Sequence, residues 1–425
     1  MAKTVVKAQL GIILILAAIY FLQAATPLRL HPDTVVLLSV AETAAHGGGY
    51  LYHGQPTVFP PGYPTLLAFL IRVNLARVWV IVSLNVMFVA TGLLLFRYLF
   101  REMGFSESFV LGVCMLSLLS FVFVKYSAIP LTDLFFFCVS MCGLTLMKRL
   151  MASKFSWRRL IGSVALVIAS VCIRRIGVAL IPALLYAVVF QSEVQLYMAR
   201  LSSRKKAAIM LVAASVVTSL GAIAIAWGVR TASTLLDLGA ILKGHVLLES
   251  ALGIISFRLR ELGEIAVNLP YPALPQIVQG CIPIIGALAF LSIVAGVAWR
   301  KEFGVVETYF VSYVAIILVW PFYDPRFWLP VIPFLIAYSG LALKRLVQGK
   351  IARYMVEGYV IIFVLMGTLT LASNTRLSFS GSEFGDFYTE GRYHSTYCAV
   401  WHCKDLDSAK VDLDAMHLLR YYKQN

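Results

Sequence analysis

The chain has 425 residues, of which 60% are hydrophobic and 13% charged, about half the roughly 25% charged share of soluble domains. With a mean hydropathy of +0.84 it cannot hide its apolar residues inside one water-soluble core, so a soluble globular protein is excluded and a polytopic membrane protein remains. The net charge of +15 does not point to nucleic acid, because Lys and Arg gather at the ends of hydrophobic runs, where they set orientation and meet anionic lipid.

In chain order, apolar runs predict eleven membrane spans: 8–25, 77–99, 106–124, 130–147, 160–173, 176–190, 207–229, 281–299, 304–320, 327–343 and 355–372. The first follows Lys3 and Lys7 and reads as an uncleaved helix, since further spans follow it. The fifth and sixth meet at Arg174 and Arg175. Two arginines in mid-membrane are expensive, so two short helices meeting near one surface are expected there. Placing the N-terminus in the cytoplasm puts Arg97 and Arg101, Lys148 to Arg159, Arg200 to Lys206, Arg300 and Lys301, and Lys344 to Arg353 inside, in accord with the positive-inside rule. Three larger segments then face outward: loop 26–76, loop 230–280 and a polar, aromatic tail from 373. The expected organisation is a membrane domain over 1–372 and a small outward tail over 373–425, which packs on the membrane part or covers the site.

The loop after the first span is the richest in chemistry. Asp33 follows Pro32, and at helical period Ser39, Glu42, Thr43 and His46 share one face, while Val36, Leu37, Val40, Ala41 and Ala44 cover most of the rest. This predicts a helix lying in the membrane interface with one polar side. Asp33 reads either as its N-cap or as a functional carboxylate. Gly47-Gly48-Gly49-Tyr50 ends the helix, and Pro60-Pro61-Gly62-Tyr63-Pro64 forms a stiff corner that returns to the membrane.

Further along, Pro130-Leu131-Thr132-Asp133-Leu134-Phe135 opens the fourth span, where Asp133 reads either as a simple ion-pair partner of nearby Lys125 or as part of a pocket rim. Arg174-Arg175-Ile176-Gly177 joins the fifth and sixth. Lys243 and His245 lie in loop 230–280. Tyr323-Asp324-Pro325-Arg326-Phe327-Trp328-Leu329-Pro330-Val331-Ile332-Pro333 opens the tenth. Arg326 is a fixed charge suited to two phosphate oxygens, or a boundary arginine among interfacial aromatics. Cys398 and Cys403, four apart in the polar tail, are a disulfide candidate for an oxidising compartment; His394 and His402 beside them leave a metal reading open. The other five cysteines lie in or beside apolar spans and read as packing residues.

Taken together, the loop after the first span, the Arg174–Gly177 junction and the Tyr323–Pro333 motif resemble the GT-C glycosyltransferases, in particular the bacterial family 39 and aminoarabinose-transferase-like members. The resemblance covers around half of the chain. It implies an all-α GT-C-type bundle of about eleven transmembrane helices with outward-facing juxtamembrane helices. It also implies an inverting transfer of a sugar from a polyprenyl phosphate to a glycan, lipid or protein acceptor on the outer face of a plasma (inner) membrane, with the C-terminus periplasmic or extracellular.

By the same resemblance Asp33 is the catalytic carboxylate. Arg326, Arg174, Arg175 and Lys125 are donor-phosphate ligands, and Glu42, His53, Tyr63, Asp133 and Asp324 line the substrate pocket. Many aminoarabinose-transferase relatives carry a Glu-Lys pair before the first proline of the corner. This chain has Val58 and Phe59 there, so that pair's ligand roles are not carried over. A divalent metal is compatible with the reading, although no ligand cluster in the sequence argues for one. The rivals are a secondary transporter or lipid flippase, a non-catalytic relative, and a ligase using a diphosphate-linked glycan.

Overall fold

The computed structural model describes residues 2–152, 154–191, 246–300, 302–320, 322–379, 392–402 and 407–424. Those residues are overwhelmingly helical. The sole sheet among them is a two-residue antiparallel hairpin, β1 (Leu51–Tyr52) with β2 (Gln55–Pro56). Among the described residues six helices are long and apolar enough to cross a membrane, so the chain is a multi-pass membrane protein.

The first, α1 (Ala2–Leu22), is apolar all round and mostly faces outward from the bundle. An extended segment then leads to α2 (Pro32–Ala45), where the sequence predicts the interfacial helix. Its apolar side, including Leu37, Val40 and Ala41, is buried. The helix ends where Gly47 and Gly49 take positive φ. The corner of prolines starts α3 (Gly62–Arg72).

The long helices α4 (Val78–Glu102) and α7 (Thr132–Ala152) lie side by side in the core. Between them the run 106–124, expected as one helix, is two: α5 (Glu107–Leu118) and α6 (Phe121–Tyr126). The physical reason is Asn268, whose Oδ1 accepts the Phe121 N–H (2.7 Å) and whose Nδ2 donates to Leu119 O (2.9 Å), replacing helical bonds lost at the break.

Next come α8 (Trp157–Ile173) and α9 (Leu180–Val189), separated by an extended Arg174 and a 3-10 turn over Arg175–Ala179. The expected break at the two arginines is present. The predicted span 207–229, with Lys243 and His245, lies outside the described residues. The described part of segment 230–280 holds a 22-residue helix, α10 (Val246–Val267), lying along α11 (Gln276–Ala298). Then follow α12 (Val305–Leu318), a 3-10 turn over Pro325–Val331 running into α13 (Ile332–Leu346), and α14 (Lys350–Leu377).

The tail supplies α15 (His394–Trp401) and α16 (Leu413–Gln424), and α16 packs on α2. Cys398 is buried, with its Sγ 3.6 Å from His394 Nε2. Cys403 lies outside the described residues, so the Cys398–Cys403 pairing has no structural description.

Candidate active site

The chain entering α2 is anchored before it reaches Asp33. Arg29 is fully buried and donates to Thr26 Oγ1 (3.0 Å), Asn374 Oδ1 (2.7 Å) and Ser378 Oγ (2.7 Å). The Tyr397 hydroxyl accepts the Leu30 N–H (2.9 Å) and donates to Leu28 O (2.7 Å). This fixes His31, which is the N-cap of α2: its Nδ1 accepts the Asp33 N–H at 3.2 Å, with Pro32 in the first helical position. The capping role considered for Asp33 therefore belongs to His31, and the Asp33 carboxylate is left for other contacts.

That carboxylate meets Arg326 through Nη2. Arg326 Nε is 2.7 Å from Asp324 Oδ2, while Asp324 Oδ1 accepts the Arg326 N–H (2.9 Å) and caps the 3-10 turn. Tyr126 donates to the same Asp324 oxygen (3.2 Å). One guanidinium thus bridges two carboxylates from opposite ends of the chain. Burial pushes the Asp33 carboxyl up, but the Arg326 charge and hydrogen bond pull it further the other way, and it ends below its ordinary value of 3.8. Burial first, then Arg326, bring His31 down to about 4, so the imidazole stays neutral and its Nδ1 remains an acceptor.

A second arginine lies close by. Arg174 pairs with Asp133, whose side chain is 2% exposed. The Asp133–Lys125 ion pair expected from the sequence is corrected, because Arg174 takes that carboxylate. Both guanidiniums lie near Phe327, whose ring centroid is 5.6 Å from the Arg174 Cζ and 5.4 Å from the Arg326 Cζ. The local fold places Arg174 here through two glycines. A Cβ on Gly177 would lie 2.5 Å from the Ser170 carbonyl carbon, so only glycine lets the turn after Arg174 fold back on α8. A Cβ on Gly62 would lie 2.7 Å from Cys172 O, so the proline corner also closes against this junction. Lys125 lies over the Tyr126 ring (5.3 Å) and close enough to His31 to act on its charge.

Asp33, Arg326, Asp324, Arg174, Asp133 and Lys125 are therefore brought together. Arg175 turns away and donates to Val58 O (2.5 Å). Tyr63 is buried beside the Phe135 ring. Glu42 and His53 belong to a different cleft of about 390 Å³, reached along α2 about 13 Å from Asp33. There His417 faces Glu42 (3.2 Å), His53 faces Asp414 (2.8 Å), and Tyr52 donates to Asp414 (3.0 Å). Ser39, Thr43 and His46 complete the wall, so the predicted polar face of α2 lines this cleft.

Sequence reasoning missed the residues that hold the Arg326 turn. Glu261 of α10 is fully buried, accepts the Asp324 N–H and the Trp328 Nε1–H at 2.7 Å each, and sits 2.8 Å from Arg258. The signal was present as Arg258-x-x-Glu261-x-x-Glu264 within an amphipathic pattern. Among the described residues no three His, Cys, Asp or Glu side chains are grouped to hold a metal ion. The carboxylates around Asp33 are committed to guanidiniums and do not form a ligand set.

Neither a family model nor a curated protein sequence matches the chain. Among solved structures it is similar to ArnT from Cupriavidus metallidurans bound to undecaprenyl phosphate, with a TM-score of 0.50 at 13% identity over 97% of this chain and 84% of that one. The apo state of that ArnT gives 0.51 at 12% identity over 100% and 85%. The chain therefore has the fold of the GT-C superfamily of membrane glycosyltransferases. The archaeal oligosaccharyltransferase AglB from Archaeoglobus fulgidus, in complex with an inhibitory peptide and a dolichol-phosphate, aligns at a TM-score of 0.47 and 12% identity over 97% of this chain and 59% of that one.

Proposed function

We propose that the chain is an inverting glycosyltransferase that moves a sugar from a polyprenyl-phosphate donor to an acceptor at the outer face of the membrane. The observation that carries this reading is the Arg326 bridge between Asp33 and Asp324, with Arg174 beside the same Phe327 ring as Arg326. It joins a carboxylate able to take a proton to two cations able to hold a phosphate, at the end of apolar helices. A ligand carried on a lipid needs its site there.

A donor phosphate competes with Asp33 for Arg326, because a guanidinium binds phosphate oxygens as it binds a carboxylate. Once Arg326 turns to phosphate, Asp33 loses the cation that depresses its basicity. The acceptor hydroxyl or amine then attacks the anomeric carbon from the face opposite the phosphate. The bond from that carbon to the phosphate oxygen breaks, its electron pair leaves on the polyprenyl phosphate, and the acceptor proton passes to Asp33. Arg326 and Arg174 stabilise the charge gathering on the leaving phosphate. Asp133 keeps Arg174 aimed, and Asp324 does the same for Arg326. The undecaprenyl phosphate bound to ArnT supports a polyprenyl donor.

The basic residues at the opposite ends of the helices support a cytoplasmic N-terminus and a site and tail outside, in a plasma membrane crossed about eleven times. The test is sugar transfer in proteoliposomes from a panel of radiolabelled polyprenyl-phosphate sugars. Wild type should turn over at least one donor, and Asp33→Asn should lose a hundredfold or more. Equal turnover in the two proteins would remove Asp33 from the chemistry.

A further inference from the structure

At the pole away from Asp33, the ends of α4, α11 and α13 converge on a cavity of about 480 Å³, a size typical of small-molecule sites. We propose that it binds the phosphate headgroup of an anionic glycerophospholipid in the leaflet opposite the Asp33–Arg326 site. Depth is the first argument. Arg326 opens the same continuous helix that ends in Lys344 and Arg345. The rise along its 3-10 and α-helical parts separates them by about 30 Å, one hydrocarbon thickness. If Arg326 sits at one membrane face, the cavity sits at the other.

Charge is the second argument. Of the charged side chains lining the cavity, Arg300 is committed to Glu307 at 3.0 Å and lies over the Phe105 ring at 5.1 Å. Lys344 and Arg345 make no ion pair among the described residues, and Arg345 rests over Trp299 at 5.8 Å. Glu302 also lines the cavity. Among the described lining, with Arg300 and Glu307 cancelling, Lys344 and Arg345 against Glu302 leave one positive charge, which matches the single negative charge of a phosphodiester headgroup.

The remaining lining distinguishes a lipid from a free ion. Met103, Phe105, Phe109 and Leu341 form an apolar wall beside the cations. A phosphate ion has no use for it, whereas the glycerol and upper acyl chain of a lipid bury against it. Trp299 at the rim suits the headgroup depth. The inference does not depend on the proposed transfer reaction.

The experiment measures lipid retention by the full chain purified from nanodiscs of zwitterionic lipid with or without phosphatidylglycerol, read by native mass spectrometry. Wild type should keep one phosphatidylglycerol in preference to the zwitterionic lipid. The double variant Lys344→Ala/Arg345→Ala, at exposed positions, should lose about tenfold or more in affinity. A control, Lys148→Ala/Arg158→Ala, removes the same charge from the same pole outside the cavity and should keep it. Equal loss in both variants would reduce the effect to general attraction of a basic face for anionic lipid and overturn the site, as would no preference in wild type. Displacement by inorganic phosphate at equal concentration would assign the cavity to the free ion and overturn the lipid.

Discussion

Helix α2 carries two polar clusters built from the same chemical types, and they differ in what surrounds them. At its first turn Asp33 meets Arg326, whose side chain is only 10% exposed and whose second partner, Asp324, is held in turn by Glu261 and Tyr126. About two and a half turns later Glu42 meets His417, whose side chain is 62% exposed, at the rim of an open cleft. Breaking the first pair strands a charge in low dielectric, while breaking the second lets water take over. Burial, more than the identity of the charged groups, makes one end of the helix a candidate for chemistry and the other a fastening for the tail.

Four substitutions break or sharpen that contrast. Arg326→Ala leaves Asp33 and Asp324 facing each other without a cation. It should lower thermal stability by about 3 kcal/mol and cut transfer a hundredfold or more, read by unfolding in detergent and by turnover in proteoliposomes. Glu261→Gln keeps one acceptor for the Asp324 or Trp328 N–H, sets an amide NH2 against the other donor, and strands Arg258. A loss of about 2 kcal/mol is expected, with a change in tryptophan emission from Trp328. Unchanged stability would show that α10 does not hold the Arg326 turn.

His31→Asn keeps a capping acceptor and removes the titration. Because the folded protein holds His31 down at about 4, below its ordinary 6.5, the unfolded chain binds the proton first. The stability due to the neutral imidazole is full above pH 6.5 and is lost as pH falls towards 4, at most on the order of 3 kcal/mol. Melting temperature followed against pH should fall over that window in wild type and stay flatter in the variant. Last, His417→Ala should cost under about 1 kcal/mol and leave turnover within about twofold. A large loss of transfer there would erase the distinction between the two ends of α2.

The long apolar runs were legible in the sequence because a stretch of about eighteen apolar residues has few other fates, and the break at Arg174 was legible because mid-membrane charge is costly. The positions of Asp33, Asp324, Arg326 and Arg174 stood out because charged residues next to Pro, Gly and aromatic corners are conspicuous in an apolar chain. What stayed hidden was set by distant partners. The break between α5 and α6 comes from Asn268, 147 residues beyond Phe121. The choice of Arg174 over Lys125 by Asp133 is decided by the fold of the α8–α9 junction. Helix α10 mixes charges with apolar residues over a stretch too polar to read as a span, so the Arg258-x-x-Glu261-x-x-Glu264 spacing marked a helix face without showing that Glu261 holds Asp324.

The fastening of the segment before Asp33 has a consequence for how the protein is made. Arg29 is held by Asn374, 345 residues later, and Leu30 by Tyr397, 367 residues later. A ribosome adding about 5–20 residues per second needs roughly 20–70 s to go from one to the other. Throughout that interval the first loop is already synthesised while the groups that lock it do not yet exist. Assembly of the Asp33 site is therefore among the last events of biogenesis, and a chain stalled or truncated before Asn374 carries every residue around Asp33 without the clamp that sets them in place.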